Sequence, residues 1–484
     1  MTRTTTPVNF TLDLRGRTGS RSGQVARALI DVIASGQVHD GDRLPSTRTL
    51  AATFGVARAA AVGAYEELTA AGFLVAQPGG STCVEHGAGA AARAGTFGAG
   101  PPALPAWPDP LAAAGPRARC LSRPAGYDLR PGQADTGLIS GRDWTRAMRL
   151  ATASALAPQD VIAQLREQLC GHLRRARGLA VDPDDIFPFP SVGIALRAVA
   201  AVCALTGRPV AFEDPGYAKA RVALHQAGAV VRPVPVDEDG VRAGDLRATD
   251  RACYVTPAHQ FPLGGRMPVG RRADLLVWAN ACDGLVLEDD YDGEFRYDVP
   301  PLTPLRAMPA AADRVVYFGT SSKILSRGLR ISWAVLPARF RGAMIRYLDE
   351  WGEDVSQVSA AFLANFIATG ALTRHHSRVM RTYRARHGRF VAACRELVPA
   401  ARALGIEAGL HVVLVFDGPL DDTAAVARLA EAGLACLPLS GLCAGPAPTR
   451  RSGLICGYSL LPETMAQGAA ALIGQVTGKL MAVR

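Results

Sequence analysis

The sequence contains very little lysine. Of its 53 lysines and arginines, only three are lysines, namely Lys219, Lys323 and Lys479. A guanidinium stays protonated in proteins, whereas an ammonium that is partly desolvated can lose its proton and attack an aldehyde. Lys323 lies in the segment YFGTSSKILSRGLRISW, residues 317–333. It is therefore the first candidate for the covalent anchor of a cofactor.

Other absences exclude whole classes of protein. The ten cysteines form no CxxC pair and the nine histidines show no metal-ligand spacing, so the sequence predicts no metal site. His375 and His376 are adjacent and are expected to face solvent. No apolar run approaches the roughly 20 residues of a membrane span, and the first ten residues lack a signal-peptide core. We therefore expect a cytoplasmic protein that does not enter a membrane.

The remaining composition suits two globular domains of unequal size. The chain has 484 residues, of which 49% are hydrophobic and 20% are charged, enough for one small and one large domain with a substantial core. The net charge is +10, yet residues 1–84 hold eight arginines and six acidic residues. The charge is thus consistent with a nucleic-acid partner without establishing one.

Carboxylates precede Lys323 at the end of a predicted strand. The segment LVLEDDYDGEFRY, which ends at Tyr297, begins as an apolar run and then turns acidic. A buried parallel strand has this pattern where its C-terminal end opens into a site. Asp289 lies far enough upstream of Lys323 for a second strand, predicted at residues 314–318, to intervene.

The side chains near Lys323 match a pyridine-type cofactor that carries a phosphate. A carboxylate can keep a pyridine nitrogen protonated, and a phenol can bind a ring oxygen; Asp289 and Tyr291 match these two roles. Arg330 and the hydroxyl of Thr320 bracket the same site and suit a phosphate.

The residues from about Tyr127 to the C-terminus resemble a fold-type-I aminotransferase domain. The matching segments occur in the family's order and are FEDPGYAKAR (212–221), YVTPAHQFPLGGRMP (254–268), LEDDYDGEFRY and YFGTSSKILSRGLR. The resemblance implies a mostly parallel sheet sandwiched by helices, a small C-terminal α+β subdomain, and pyridoxal 5′-phosphate (PLP) as cofactor.

The resemblance also implies a role for each matched residue. Lys323 resembles the Schiff-base lysine, Asp289 the partner of the pyridine nitrogen, and Tyr291 the partner of the ring oxygen. The other implied cofactor contacts are Arg330 and Thr320 at the phosphate, Tyr217 near the ring, His259 in the loop beside the ring oxygen, and Ser191, Val192 and Gly193 in the phosphate cradle.

Residues 23–84 predict three short helices and a hairpin. Apolar residues at positions 25, 29, 32 and 33 form one face of a helix over residues 23–35. Ser46 can cap a second helix that begins at Thr47 and ends at Gly55, and a third helix covers residues 58–71. The segment FLVAQPGGSTCV alternates around PGG, which is typical of a hairpin.

This order, with the segment RLPSTRTLAATFGVARAAAVGAYEELTAAGFL, resembles the winged helix-turn-helix of GntR-type regulators. A winged helix joined to a PLP aminotransferase domain is similar to the layout of MocR-type bacterial transcription regulators. The resemblance implies binding of double-stranded DNA and a homodimer. The implied DNA-facing residues are Arg43, Ser46, Arg48 and Arg58, with Gly80, Ser81 and Thr82 at the tip of the wing.

We therefore predict an α/β protein in three parts. Residues 1–85 form the winged helix-turn-helix DNA-binding domain, and residues 126–484 form the aminotransferase-like domain. Between them, residues 86–125 are rich in Ala, Gly and Pro and are expected to be a linker.

Three departures from the aminotransferase pattern concern the cofactor and the substrate. Pro188 and Pro190 remove backbone donors near the expected phosphate cradle. Residues 155–166, ALAPQDVIAQLR, lack the Tyr-x-x-Pro-x-Gly pattern of the family. Leu454 occupies the place of the arginine that binds a substrate carboxylate, with Arg450 and Arg451 nearby.

Three hypotheses follow. The first is a transcription regulator that senses PLP, or a PLP adduct of an amine or amino acid, through its aminotransferase-like domain. The second is an active aminotransferase with an accessory DNA-binding domain, and the absent carboxylate arginine argues against it. The third is a dimeric DNA-binding protein without PLP, and the presence of Lys323, Asp289, Tyr291 and Arg330 argues against that.

Overall fold

The computed structural model describes residues 10–77, 81–94, 126–156, 160–297, 303–352, 355–405, 407–444 and 452–482. The chain divides into two compact units, residues 1–109 and 110–484. Across the described ranges, no helix is both long enough and apolar enough to cross a membrane. Gly80, Arg450 and Arg451 lie outside these ranges, as do residues 95–125 of the expected linker and residues 157–159.

The N-terminal unit contains the predicted helices and hairpin. These elements are α1 (Arg21–Ala34), α2 (Thr47–Phe54), α3 (Arg58–Ala70), β1 (Leu74–Gln77) and β2 (Ser81–Val84). The Ser46 hydroxyl accepts a hydrogen bond from the Thr49 amide at the start of α2. Gly55 ends α2 in the left-handed conformation, which glycine adopts without strain.

One apolar core holds this unit together. Leu29, Leu50 and Leu68, one from each of the three helices, are almost completely buried within it. The Tyr65 hydroxyl donates a hydrogen bond to the Pro45 carbonyl over 2.7 Å. This contact ties α3 to the turn before α2, and so fixes the two helices of the helix-turn-helix relative to each other.

The expected linker differs from the structure at its N-terminal end, where residues 88–94 form helix α4 (Ala88–Ala94). Asp40 accepts hydrogen bonds from the amides of Gly87 and Gly89 at the start of this helix. Ala88 and Ala92, one turn apart, are buried in the core of the N-terminal unit. The composition concealed the helix because its buried face consists of alanine.

The large unit alternates helices and strands. Its helices are α5 (Gly141–Ala155), α6 (Val161–Arg177), α7 (Val192–Val202), α8 (Ala218–Gln226), α9 (Val269–Ala281), α10 (Ser321–Ile324), α11 (Arg341–Trp351), α12 (Gln357–Ala368), α13 (Ala371–Leu397), α14 (Asp422–Glu431) and α15 (Ala466–Ala482). Its strands are β3 (Tyr127–Asp128), β4 (Ile186–Phe189), β5 (Pro209–Asp214), β6 (Val230–Asp237), β7 (Gly240–Val241), β8 (Ala252–Val255), β9 (Leu285–Asp289), β10 (Val315–Thr320), β11 (Ser332–Val335), β12 (Ala401–Leu404), β13 (His411–Phe416), β14 (Leu434–Ala435), β15 (Leu437–Pro438) and β16 (Leu454–Gly457).

Eight of these strands form one mostly parallel sheet, as predicted. Their order is β4-β11-β10-β9-β8-β5-β6-β7. The five strands from β10 to β6 run parallel, and β4, β11 and β7 pair antiparallel at the two ends. Because parallel strands open their C-terminal ends at one edge of a sheet, residues that follow β8, β9 and β10 can meet in one site.

Helices cover both faces of this sheet. Along β10, Val316 and Phe318 belong to the core formed with α7 and α8, whereas Val315 and Tyr317 point to the cores on the other face. This alternation is the two-residue period of a strand that is buried on both sides.

A second, smaller sheet lies in the C-terminal part, as predicted. It has four strands in the order β12-β13-β16-β15.

The prediction that His375 faces solvent was wrong: its side chain is buried, and its Nε2 lies 2.8 Å from the Ile324 carbonyl oxygen. The adjacent His376 is half-buried, and its Nε2 lies 3.1 Å from the Glu294 carbonyl oxygen. Two adjacent histidines on a helix are normally read as exposed. The sequence did not indicate that both rings would lie against backbone carbonyl oxygens.

Candidate functional site

Lys323 lies on α10, directly after β10. Its Nζ donates a hydrogen bond to the Gly132 carbonyl over 2.9 Å. Gly132 has a positive φ of 69°, and a Cβ atom there would overlap the lysine amine, so glycine is what allows this approach. Burial lowers the pKa of Lys323 to about 8, and the positive charge of Arg327 acts in the same direction. The amine is thus closer to its nucleophilic form than an ordinary lysine.

Asp289 is the last residue of β9, and its register partner on β10 is Phe318. The Tyr254 hydroxyl donates a 2.5 Å hydrogen bond to its Oδ2. Its Oδ1 is buried and receives no hydrogen bond from any described residue. Burial raises the pKa of Asp289 to about 7, although Tyr254 and Lys323 favour the carboxylate. A buried carboxylate oxygen without a donor is what a protonated ring nitrogen would satisfy.

Tyr291, His259 and Asp292 form a buried hydrogen-bonded group. Nδ1 of His259 lies 3.0 Å from the Tyr291 hydroxyl and 2.9 Å from Oδ2 of Asp292. Burial disfavours charge on Asp292, but the adjacent His259 brings its pKa below the usual value. His411 is also near, because the possible ligand atoms of His259, Asp292 and His411 all lie within 4.8 Å of one another. The spacing of the histidines in the sequence gave no indication of this group.

The predicted phosphate contacts Thr320 and Arg330 line the same cavity as Lys323. Oγ1 of Thr320 accepts hydrogen bonds from the Ser332 hydroxyl and the Ser322 amide, which leaves its own proton for a ligand. Arg330 has a φ of 55°, a conformation that side-chain-bearing residues rarely adopt. Arg330 is also among the residues that line the cavity.

The phosphate cradle is less altered than its prolines suggested. Pro188 lies within β4, an edge strand, where it pairs with Trp333 and a missing amide is tolerated. Only Pro190 borders the cavity, next to Ser191, Val192 and Gly193. Ser191 caps α7 by accepting from the Ile194 amide. The first amides of a helix lack intrahelical acceptors, so the amides of Val192 and Gly193 have no acceptor within α7.

These side chains surround one cavity of about 460 Å³, within the usual range for small-molecule sites. Nine of the ten predicted cofactor contacts line it: Lys323, Asp289, Tyr291, Arg330, Thr320, Tyr217, Ser191, Val192 and Gly193. His259 is buried behind Tyr291, and the ring of Tyr217 meets Phe261 edge to face.

Sequence reasoning missed several residues that line or support the cavity. Lys219 and Arg327 add positive charge to its wall, and Arg130 lines it while paired with Asp128. Tyr254 binds Asp289, and His411 also lines the cavity. The scarcity of lysine could have identified Lys219, because two of the three lysines in the chain line this cavity.

Leu454 is fully buried at the start of β16, where its register partners are Leu414 and Pro438. The apolar side chain of Leu454 cannot itself bind a substrate carboxylate.

The predicted DNA contacts of the N-terminal unit lie on neighbouring elements. Arg58 is the first residue of α3 and Arg48 lies in the first turn of α2, and both are exposed. Arg43 forms an antiparallel bridge with Cys83 in the hairpin, and the Leu44 amide donates to the Thr82 carbonyl. Arg43 therefore lies beside Ser81 and Thr82 of the wing, although 38 positions separate Arg43 from Ser81 in the chain.

Two family models match this chain. Residues 21–84 match the bacterial regulatory proteins of the gntR family, and residues 145–452 match the aminotransferases of class I and II. A pyridoxine biosynthesis transcriptional regulator, PdxR of Corynebacterium glutamicum, is 31% identical over 437 residues, which are 90% of this chain and 91% of the relative. The probable rhizopine catabolism regulatory protein MocR of Rhizobium meliloti is 30% identical over 455 residues, 91% and 90% of the two chains.

The chain belongs to the MocR-type subfamily of GntR transcription regulators. MocR-type proteins join a GntR helix-turn-helix to an aminotransferase-like unit, and both are present here. The protein is accordingly a DNA-binding transcription regulator of the helix-turn-helix type.

Solved structures confirm the aminotransferase fold of the large unit of this MocR-type protein. An archaeal alanine:glyoxylate aminotransferase superposes with a TM-score of 0.67 and 21% identity, over 73% of this chain and 91% of that one. LysN, an α-aminoadipate aminotransferase of Thermus thermophilus, gives a TM-score of 0.66 and 22% identity, over 74% and 93%. At this identity the match establishes the fold alone.

Proposed function

We propose that this regulator binds PLP, or a PLP adduct of an amine, in the cavity around Lys323, and that the bound ligand changes its affinity for DNA. The observation that carries the proposal is a lysine with a lowered pKa in the same cavity as a carboxylate oxygen that lacks a donor. Two comparisons support the ligand class. The relative in C. glutamicum is named for pyridoxine biosynthesis, and the T. thermophilus structure is a complex with N-(5′-phosphopyridoxyl)-L-leucine.

The residues of the cavity fit this ligand. PLP supplies an aldehyde that reacts with primary amines and a pyridine ring that withdraws electrons. With a pKa of about 8, the neutral fraction of the Lys323 amine at pH 7 is roughly two orders of magnitude larger than that of an ordinary lysine. Oδ1 of Asp289 would accept a hydrogen bond from the ring nitrogen. The hydroxyl of Tyr291, held by His259, would bind the ring oxygen.

Four further groups that line the cavity would hold the phosphate. Thr320 retains a hydroxyl proton to donate, Arg330 supplies a fixed positive charge, and the amides of Val192 and Gly193 supply donors at the start of α7. Anions bind at helix N-termini because the amide groups there point outward and the helix dipole favours negative charge.

We propose sensing without sustained turnover. A transaminase must hold the carboxylate of its amino-acid substrate while the proton moves, and the buried Leu454 cannot do so. The ligand then acts as an effector, and it shifts the protein only as far as its affinities for the two states differ. Steady conversion of amino and keto acids by the purified protein at rates of an ordinary aminotransferase would refute this part.

A covalent-trapping experiment tests the proposal. Purified protein is incubated with PLP, reduced with borohydride, digested and mapped by mass spectrometry. We expect a pyridoxyl group on Lys323 in the wild type and none at any lysine in Lys323→Ala. Lys479→Ala, which changes a lysine on α15, is the matched control and should keep the adduct. If the wild type lacks the adduct as Lys323→Ala does, the proposal is overturned and a PLP-free regulator is favoured.

We further propose that the protein acts as a homodimer on promoter DNA. Large apolar side chains are exposed on the large unit, among them Leu156 (84%) and Trp351 (68%), and burial against a second copy would remove them from water. Light scattering should give twice the chain mass.

The binding to promoter DNA has its own test. In a gel-shift assay with the promoter region of the gene, Arg48→Ala and Arg58→Ala should weaken binding, whereas Arg428→Ala on α14 should not.

A further inference from the structure

A second concave site of the large unit is lined by arginines. It is a groove of about 810 Å³ between α5 and the start of α13. Four arginines line it, Arg142, Arg146, Arg149 and Arg374, against a single acidic residue, Asp143. It shares no lining residue with the cavity around Lys323.

The positive charge of this groove is poorly neutralised. Asp143 is already engaged, because Nη2 of Arg374 donates to its Oδ1 over 2.9 Å, and this bond lowers the pKa of Asp143. Arg142, Arg146 and Arg149 are exposed. None of these three makes a hydrogen bond or ion pair to another residue in the described parts of the chain.

The spacing of the three arginines concentrates positive charge on one face of α5. Positions 142, 146 and 149 are related by steps of four and three residues, so the side chains share one face of α5, and like charges at these steps repel each other. This face is opposite Ala147 and Ala151, which are buried against the core. The contacts of α5 with the core thus come from the face opposite the arginines, which leaves the three guanidinium groups exposed for an anionic partner along the helix.

We propose that this arginine groove binds the phosphate backbone of DNA that flanks the segment recognised by the N-terminal unit. A regulator of this family meets one extended polyanion as part of its function, and arginines one helical turn apart suit successive phosphates. The N-terminal unit has little positive charge to supply that contact itself, since residues 1–84 hold eight arginines and six acidic residues. Contacts of this kind add affinity and salt dependence but no sequence specificity.

Binding to two lengths of DNA tests the inference in the full-length protein. The first duplex covers only the segment that the protein protects from nuclease at high salt, and the second extends beyond it by several helical turns on each side. The groove variant carries Arg142→Gln, Arg146→Gln and Arg149→Gln. The matched control carries Arg395→Gln, Arg402→Gln and Arg428→Gln, which remove the same charge from exposed positions on other elements.

Affinity is measured by fluorescence anisotropy over a range of salt concentrations. We expect the groove variant to bind the long duplex about tenfold or more weakly than the wild type, with a salt slope smaller by roughly 2 to 3 for each subunit engaged. Its affinity for the short duplex, and its pyridoxyl adduct on Lys323, should be unchanged. The control variant should bind both duplexes almost like the wild type.

Three other results would overturn the inference. Equal losses in the groove and control variants would show that only net charge matters, and no loss in either would show that the groove is idle. A change of mass in light scattering for the groove variant alone would assign the groove to a contact between copies of the chain. Failure of the wild type to bind even the short duplex would instead refute the DNA-binding function on which the inference rests.

Discussion

Lys323 is partly buried and Asp289 is buried, and the pKa values of these two ionisable groups have moved toward each other. Burial lowers the pKa of the lysine to about 8 and raises the pKa of the aspartate to about 7. In each case desolvation opposes the charged form. Near neutral pH, a part of the Lys323 population is therefore the neutral amine, and a part of the Asp289 population remains a carboxylate.

The rate at which Lys323 captures PLP should therefore depend on pH differently from the rate at which an ordinary amine does so. Lys323 is deprotonated above its folded pKa, so we expect the association rate to rise up to about pH 8 and then to level off. Stopped-flow absorbance from pH 6 to 10, with Nα-acetyl-lysine as reference, measures this. The groups that act on the lysine charge are Arg327, Asp292, Asp289 and Lys219. A rate that rises in parallel with the reference up to pH 10 would contradict the lowered pKa.

Gly409 lies against the His259–Asp292 pair, where a side chain would not fit. It has a φ of 71°, and a Cβ atom there would overlap His259 and Asp292. Gly409→Ala should lower the free energy of unfolding of the large unit by about 2 kcal/mol or more, because a left-handed backbone and a steric overlap combine.

The control for this change is Gly388→Ala. Gly388 lies in α13, and a Cβ atom there meets no other atom within 4 Å. Because alanine favours a helix, this variant should gain up to about 1 kcal/mol. Urea unfolding followed by tryptophan fluorescence compares the two. Indistinguishable midpoints for the two variants would show that the His259–Asp292 pair can move aside.

At the scale of elements, the start of α2 depends on Ser46. Its hydroxyl accepts from the Thr49 amide over 3.1 Å and lies 2.8 Å from the Thr49 hydroxyl. The sequence predicted both a capping role and a DNA contact for this residue, and the structure confirms the cap. The α2 helix has only eight residues, so the loss of one cap affects all of it.

Ser46→Ala should therefore destabilise α2 locally by about 1 kcal/mol, and Ser46→Gly by only a few tenths. Hydrogen exchange of the peptide over residues 44–57, measured in the full-length protein, should be about fivefold faster in Ser46→Ala. Exchange at α15 serves as the internal reference. Equal exchange in Ser46→Ala and the wild type would mean that the packing of Leu50 alone holds the helix.

At the scale of the whole molecule, the proposed regulation couples two ligands. If PLP changes the affinity for DNA by some factor, DNA must change the affinity for PLP by the same factor. DNA binding is measured by anisotropy with and without PLP, and PLP binding by absorbance with and without the duplex. In the wild type, we expect the affinity for DNA and the affinity for PLP to change by the same factor. In Lys323→Ala, we expect PLP to leave the affinity for DNA unchanged. A PLP effect on DNA binding that persists in Lys323→Ala would place the effector elsewhere.

Much of this molecule was determined by local signals in the sequence. Caps, glycine stops and helical periods located α1, α2 and α3, and apolar runs that end in polar residues located β9 and β10. Four ordered motifs, through their resemblance to a family, predicted the fold of the large unit and six residues of the cavity wall. The segment before α7 added Ser191, Val192 and Gly193. The caps, stops and periods are readable because they depend on near neighbours in the chain, whereas the cavity residues were implied by the resemblance to a family.

Contacts across long stretches of chain were decided only by the tertiary structure. Gly132 and Lys323 lie 191 positions apart, Tyr254 and Asp289 lie 35 apart, and Asp143 and Arg374 lie 231 apart. The burial of His375 and the helix at residues 88–94 belong to the same class. Each depends on which surfaces meet when the cores close, and therefore on desolvation and packing that no single segment of sequence contains.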